Sequence, residues 1–203
     1  EYNIDKYLQT PQEYLKSKGI DDQLTIDKFS IKETIHEGFP ALRFKIPSGY
    51  KYRRFGTEPK YKHDYGAKGC IFKTDRNTGE IAYINEGEFD SIVLNKFCHI
   101  PAWSASTGGE SKNIFRENIQ EFTEFKKIYL LYHTDKTGKN GAKNIAEILG
   151  KDRCFIVECP VKDWSDYFTI GYTEENFKEL LESSKSAKDF FDVIQESPFL
   201  TCE

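Results

Sequence analysis

Ile81-Ala82-Tyr83-Ile84-Asn85-Glu86-Gly87-Glu88-Phe89-Asp90-Ser91-Ile92 is the stretch on which the fold turns. It opens with a short uninterrupted apolar run, which reads as a strand buried on both faces. It then breaks at Asn85-Glu86-Gly87 and continues as a helix from Glu88 to Phe97. The same rhythm recurs downstream. Ile100–Trp103 is a second strand, followed by a Ser/Gly-rich loop and a helix after Gly109. Ile128–Tyr132 is a third strand. A helix over Asn140–Leu149 is stopped by Gly150, and Cys154–Val157 is a fourth strand. Apolar strands alternating with helices predict a mainly parallel four-stranded sheet between helices. Helices without a further sheet, near Thr173–Leu181 and Ala187–Ile194, complete the expectation.

Upstream of that unit the texture differs. Thr10-Pro11-Gln12-Glu13 combines a Thr cap, a Pro at the first helical position and a Glu three residues after the cap, and Gly19 ends the helix. A second short helix starts near Thr25. Ala41–Ile46 and Tyr50–Phe55, joined by Pro47-Ser48-Gly49, predict a hairpin that shows cations and tyrosines to solvent. We place a boundary at Asp75–Gly79. This gives a small α+β subdomain over 1–78, an α/β domain over 79–170 and C-terminal helices over 171–203.

Composition narrows the classes. The chain has 203 residues and a formal net charge of −4, but the charge is uneven. From Arg43 to Lys73 there are nine cations and only two acids, Glu58 and Asp64. That local excess favours a polyanionic partner despite the net charge. Lys45, Lys51, Arg53, Arg54, Lys60, Lys62 and Lys68 are the candidate nucleic-acid contacts, interleaved with Tyr50, Tyr52, Tyr61 and Tyr65; the bland alternative is a solvated face. No apolar run reaches membrane-spanning length, and the first residues do not read as a signal peptide, so a cytoplasmic location without membrane contact is expected. The absence of Met suggests part of a longer chain. The five cysteines, Cys202 included, form no C-x-x-C pair, which argues against a structural zinc site.

Functional groups of a parallel sheet collect at the carboxyl ends of its strands. Here those ends carry Glu86 and Asp90, then His133 and Asp135, then Asp163 and Asp166. Carboxylates converging from three strands are what a hard divalent cation such as Mg²⁺ or Mn²⁺ requires. Read singly, each acid is equally a helix cap or a solvated side chain.

Together, strand–Glu86-Gly87-x-x-Asp90 and strand–x-x-Asp135-x-x-Gly138 resemble the TOPRIM signature. The pattern is closest to that of DNA primases and phage-type primase–helicases. The resemblance spans most of residues 10–170 and is specific at 83–92 and 128–149. It implies Glu86 and Asp135 as catalytic residues, and metal at Glu86, Asp90, Asp135, Asp163 and Asp166. It also implies nucleotidyl transfer from nucleoside triphosphates to make RNA primers on a single-stranded DNA template, with a helicase domain or subunit outside these residues. One departure stands out. The family's second motif normally has two Asp residues two apart, and the first of them is replaced here by His133, a poor Mg²⁺ ligand that brings no negative charge. We read it as marking an attenuated site rather than as an added ligand. Two alternatives therefore stay open: a degenerate, non-catalytic module that binds single-stranded DNA for a replicative helicase, and a TOPRIM nuclease.

Overall fold

The computed structural model describes residues 9–106 and 111–196; Cys202 and the end of the Ser/Gly-rich loop lie outside them. The first element of the described residues is helix α1 (Pro11–Ser17), closed by the expected capping box: Thr10 accepts from the Glu13 amide, and Glu13 accepts from the Thr10 amide. Gly19 follows at φ +68°, and a β-carbon there would crowd Phe97 and Thr169 at 3.3 Å. Helix α2 (Gln23–Lys28) is capped by Asp22.

Strands β1 (Lys32–His36), β2 (Phe39–Ile46), β3 (Gly49–Arg54) and β4 (Tyr61–His63) form an antiparallel sheet in the order β1-β2-β3-β4. Leu42, Phe44 and Ile46 are buried on one face of β2, while Arg43 and Lys45 alternate to the other.

Then come β5 (Ile71–Lys73), β6 (Ile81–Asn85), α3 (Glu88–Cys98), β7 (Ala102–Ala105), α4 (Ser111–Glu117) and a 3₁₀ turn over Ile119–Phe122. They are followed by β8 (Lys127–Leu131), α5 (Lys136–Leu149), β9 (Cys154–Ile156), α6 (Trp164–Thr169), α7 (Glu174–Glu182), β10 (Lys185–Ser186) and α8 (Ala187–Glu196). The second sheet has the order β10-β9-β8-β6-β7-β5.

The expectation of a four-stranded sheet needs correcting here. The four predicted strands form the parallel centre, but antiparallel strands flank it on both edges, making six. The C-terminal helices are accordingly interrupted by a strand, β10. Both edge strands are two or three residues long, too short for periodicity to register. β5 lies before the expected boundary at Asp75–Gly79, yet it pairs with β7.

Apolar side chains cover both faces of the six-stranded sheet. On one face Ile84, Leu130, Phe115, Phe122, Ile145 and Leu149 pack together. On the other, Phe89, Ile92, Leu131, Trp164 and Phe168 join Leu15, Ile20, Leu42 and Phe44 of the N-terminal region in one core. Each such buried side chain contributes roughly 1.5–3 kcal/mol of apolar burial. The N-terminal sheet is thereby pressed against α3, beside the strand ends. Among the described residues no helix is long and apolar enough to cross a membrane.

Candidate functional site

The end of β6 is shaped by a side chain the sequence reading passed over. Asn85 is fully buried; its oxygen accepts from the Gly87 amide at 3.2 Å and from the Ser91 hydroxyl at 3.1 Å, and its amide donates to Ser91 at 3.0 Å. This closed network turns the chain from strand to helix and presents Glu86 at the bend, with Asp90 in the first turn of α3. A buried Asn next to a strand end is the signal that could have marked it.

At the end of β8, the Trp164 indole donates to the Leu131 carbonyl at 2.7 Å, fixing the strand two residues before His133. The imidazole lies between the two acids of the first motif: Nε2 is 3.2 Å from Asp90 and Nδ1 is 3.2 Å from Glu86. The Asp90 hydrogen bond, acting against desolvation and assisted by the charges of Asp90, Glu86 and Asp163, lifts the His133 pKa to about 9. At neutral pH the ring is therefore an imidazolium. Glu86 is pushed above the ordinary carboxylate range, chiefly by burial, with the charges of Asp90 and Asp135 adding to it. Although Oε2 of Glu86 is close to His133, it is buried without a hydrogen-bond partner. The contact is a charge pair rather than an aligned hydrogen bond.

Asp135 caps α5, accepting from the Gly138 amide at 2.8 Å. Gly138 has a steric basis: a β-carbon there would lie 2.1 Å from the His133 carbonyl oxygen. Asp163 caps α6 and accepts from Lys18 at 2.8 Å. Burial raises its pKa, but Lys18 and the Asp166 amide outweigh it and hold the carboxyl below its ordinary value. Lys18 itself is disfavoured by burial, yet Asp163 and nearby anions keep its pKa above normal. Sequence reading missed Lys18 because its partner is 145 residues away.

These groups line a cleft of 330 Å³ between the strand ends and the N-terminal region, bounded also by Tyr14, Tyr61, Lys51 and Glu88. Asp135 and Asp166 are not among its lining residues. Within it, four carboxylates (Glu86, Glu88, Asp90 and Asp163) face three cations (Lys18, Lys51 and protonated His133).

The resemblance implies a divalent cation here, and the residues do not fit one as arranged. Among the described residues no group of three or more His, Cys, Asp or Glu side chains is disposed to hold a metal ion. The position between Glu86 and Asp90 is taken by a protonated ring whose nitrogens are donors, not ligands.

The basic segment also differs from expectation. Lys51 does not face solvent: it is 6% exposed and donates to both carboxylate oxygens of Glu88, at 2.7 and 2.8 Å, and to the Ser106 carbonyl. Arg54 is 4% exposed and holds Glu37 and the Pro59 carbonyl. Arg53 lies over the rings of Tyr14 and Phe55. Because side chains alternate across a strand, Lys51 and Arg53 point to the core face. Lys45 and Lys68 are exposed, Lys62 is half-buried, and Lys60 approaches Glu58 at 3.8 Å.

Comparison with known proteins agrees with this architecture. The model of the Toprim-like family matches residues 83–168. The uncharacterized protein MG010 of Mycoplasma genitalium is 27% identical over 142 residues, covering 66% of this chain, which spans 61% of that protein's length. Among solved structures, the primase fragment of the bacteriophage T7 primase–helicase superposes with a TM-score of 0.62 at 21% identity, over 77% of this chain and 68% of that one. The E. coli primase catalytic core gives 0.65 at 14%, over 94% and 79%. The DnaG primase catalytic domain bound to single-stranded DNA gives 0.65 at 14%, over 94% and 78%. At these identities the structural likeness is one of fold. Residues 83–168 thus match the Toprim-like family, and the chain shares the fold of primase catalytic cores.

Proposed function

We propose that this chain is a primase-type module that holds single-stranded DNA in service of a helicase or polymerase partner, and that its own nucleotidyl-transfer centre is silenced by His133. The observation carrying this reading is the imidazole 3.2 Å from both Glu86 and Asp90. A fixed cation there satisfies the charge a divalent ion would satisfy, but it supplies no open coordination position for a triphosphate. Support for the DNA partner comes from the primase-type fold and from the single-stranded DNA bound by one structural relative. In this division, residues 1–78 supply the DNA-holding surface, residues 79–170 the TOPRIM scaffold and residues 171–203 a C-terminal segment that adds to it. A cytoplasmic site of action belongs to the same reading.

One observation favours a second reading, RNA primer synthesis. Glu86 Oε2 is buried without a hydrogen-bond donor, as an oxygen reserved for Mg²⁺ or Mn²⁺ would be. The deciding experiment measures labelled-ribonucleotide incorporation on single-stranded DNA, in Mg²⁺ and separately in Mn²⁺. We expect no synthesis by the wild type and a gain in His133→Asp, which restores a charged ligand. Robust wild-type synthesis that Glu86→Gln abolishes would overturn the silenced-centre reading in favour of the second.

A further inference from the structure

The antiparallel sheet β1–β4 has a core face and an outer face, and register fixes what each carries. Directly paired residues share a face. Lys32 pairs with Arg43, Arg43 with Tyr52 and Tyr52 with Lys62, so one row across all four strands reads Lys-Arg-Tyr-Lys. Lys45 pairs with Tyr50 in the next row. Leu42, Phe44 and Ile46 alternate to the opposite face, in the core, so this row faces away from the TOPRIM cleft.

Three features separate this face from an ordinary solvated one. Arg54, on the same face, is held by Glu37, but the other cations are unspent: among the described residues none of Lys32, Arg43, Lys45 and Lys62 lies within ion-pair distance of a carboxylate. Arg43 Nε is buried without a hydrogen-bond partner. The neighbouring acid, Asp64, accepts from the Tyr50 amide and the Tyr52 hydroxyl, and so is committed to holding the rings in place. The rings themselves are ordered: His36 stacks on Tyr52 at 3.9 Å and the Arg43 guanidinium lies 4.5 Å from the centre of Tyr50.

We propose that this outer face is a binding platform for single-stranded nucleic acid, separate from the carboxylate cleft; the inference rests on the DNA-holding role above and assigns it a surface. Four free cations suit a phosphate backbone, and ordered rings between them suit unstacked bases, which a duplex does not offer. Across four strands the platform is about 14 Å wide, at roughly 4.8 Å per strand spacing.

The test is fluorescence anisotropy of a labelled oligothymidylate with the full chain, in EDTA and without nucleotides. The outcome is thus independent of whether the His133 centre turns over. Replacing Arg43, Lys45 and Lys62 together by Gln should lower the slope of log affinity against log salt by about 2, near 0.7 per lost phosphate contact. Tyr52→Leu should weaken binding on the order of tenfold on oligothymidylate but not on an abasic strand of equal length. Lys45→Gln alone, at an exposed position, should remove about 0.7 of the slope, which keeps the test decisive if the triple variant folds poorly. An unchanged salt slope in Lys45→Gln and in a folded triple variant would overturn the proposal. So would equal binding of a duplex, or of the abasic strand by the wild type.

Discussion

The carboxylate cleft and the outer face of the N-terminal sheet are two charged regions that treat charge in opposite ways. In the cleft each of the four lining carboxylates has been engaged from within. Glu86 and Asp90 face His133, Asp163 holds Lys18, and Glu88 holds Lys51. On the outer face Lys32, Arg43, Lys45 and Lys62 are left without carboxylate partners among the described residues. The divide runs through single strands: in β3, Lys51 turns inward to a buried ion pair, while Tyr50 and Tyr52 on either side turn outward. Charge density along the sequence therefore says less about function than which side of the pleat each charge occupies.

The comparison can be broken most decisively at Lys51. Lys51→Ala leaves Glu88 buried without its cation, and we expect a loss of about 3–5 kcal/mol in urea unfolding. The pair already works against desolvation, which raises the Glu88 pKa. A loss under 1 kcal/mol would mean that Lys51 is in practice a surface cation, returning it to the nucleic-acid contacts.

Gly138→Ala comes next. The β-carbon would meet the His133 backbone, costing about 1–3 kcal/mol and displacing the imidazole from Glu86 and Asp90. Histidine NMR shifts unchanged from wild type would show that the close approach is relieved without moving the ring.

The His133 pair should appear as a pH dependence of smaller size. Its folded pKa is raised to about 9, against roughly 6.5 unfolded. The stabilisation is therefore complete below pH 6.5 and disappears as pH rises through 9. Relative to His133→Gln, the wild type should lose on the order of 1 kcal/mol across that window, a modest figure because water reaches Glu86 and the imidazole and screens the pair. Parallel stability curves for the two proteins would mean the ring is neutral and free to act as a ligand.

The smallest effect sharpens the contrast. Lys45→Gln and Lys62→Gln should each change stability by less than about 0.5 kcal/mol, while changing DNA affinity as described above. A larger destabilisation would make the outer cations structural, like Lys51.

Much of the architecture was legible in the primary structure. The apolar runs of β6, β8 and β9 and the Thr10 capping box are local patterns, and the structure places them where the pattern said. β5 and β10 were not legible as parts of the six-stranded sheet, because two or three residues carry no period and their pairing partners lie far along the chain. The candidate acids were identifiable from the strand–Glu-Gly and strand–x-x-Asp patterns. Lys18, the Asn85–Ser91 network and the cation between Glu86 and Asp90 were not.

What the sequence determined by itself is the set of chemically capable residues, the alternation of strands with helices and the replacement of an acid by His133. Tertiary structure alone decided which of those charges are available. His133 becomes an imidazolium because folding brings Asp90, 43 residues earlier, within hydrogen-bond distance. Lys51 becomes a strut because α3 brings Glu88 over the sheet. In both cases the deciding quantity is the Coulomb energy of groups distant in sequence, acting in partly desolvated surroundings. That energy depends on separation in space, which no local pattern records.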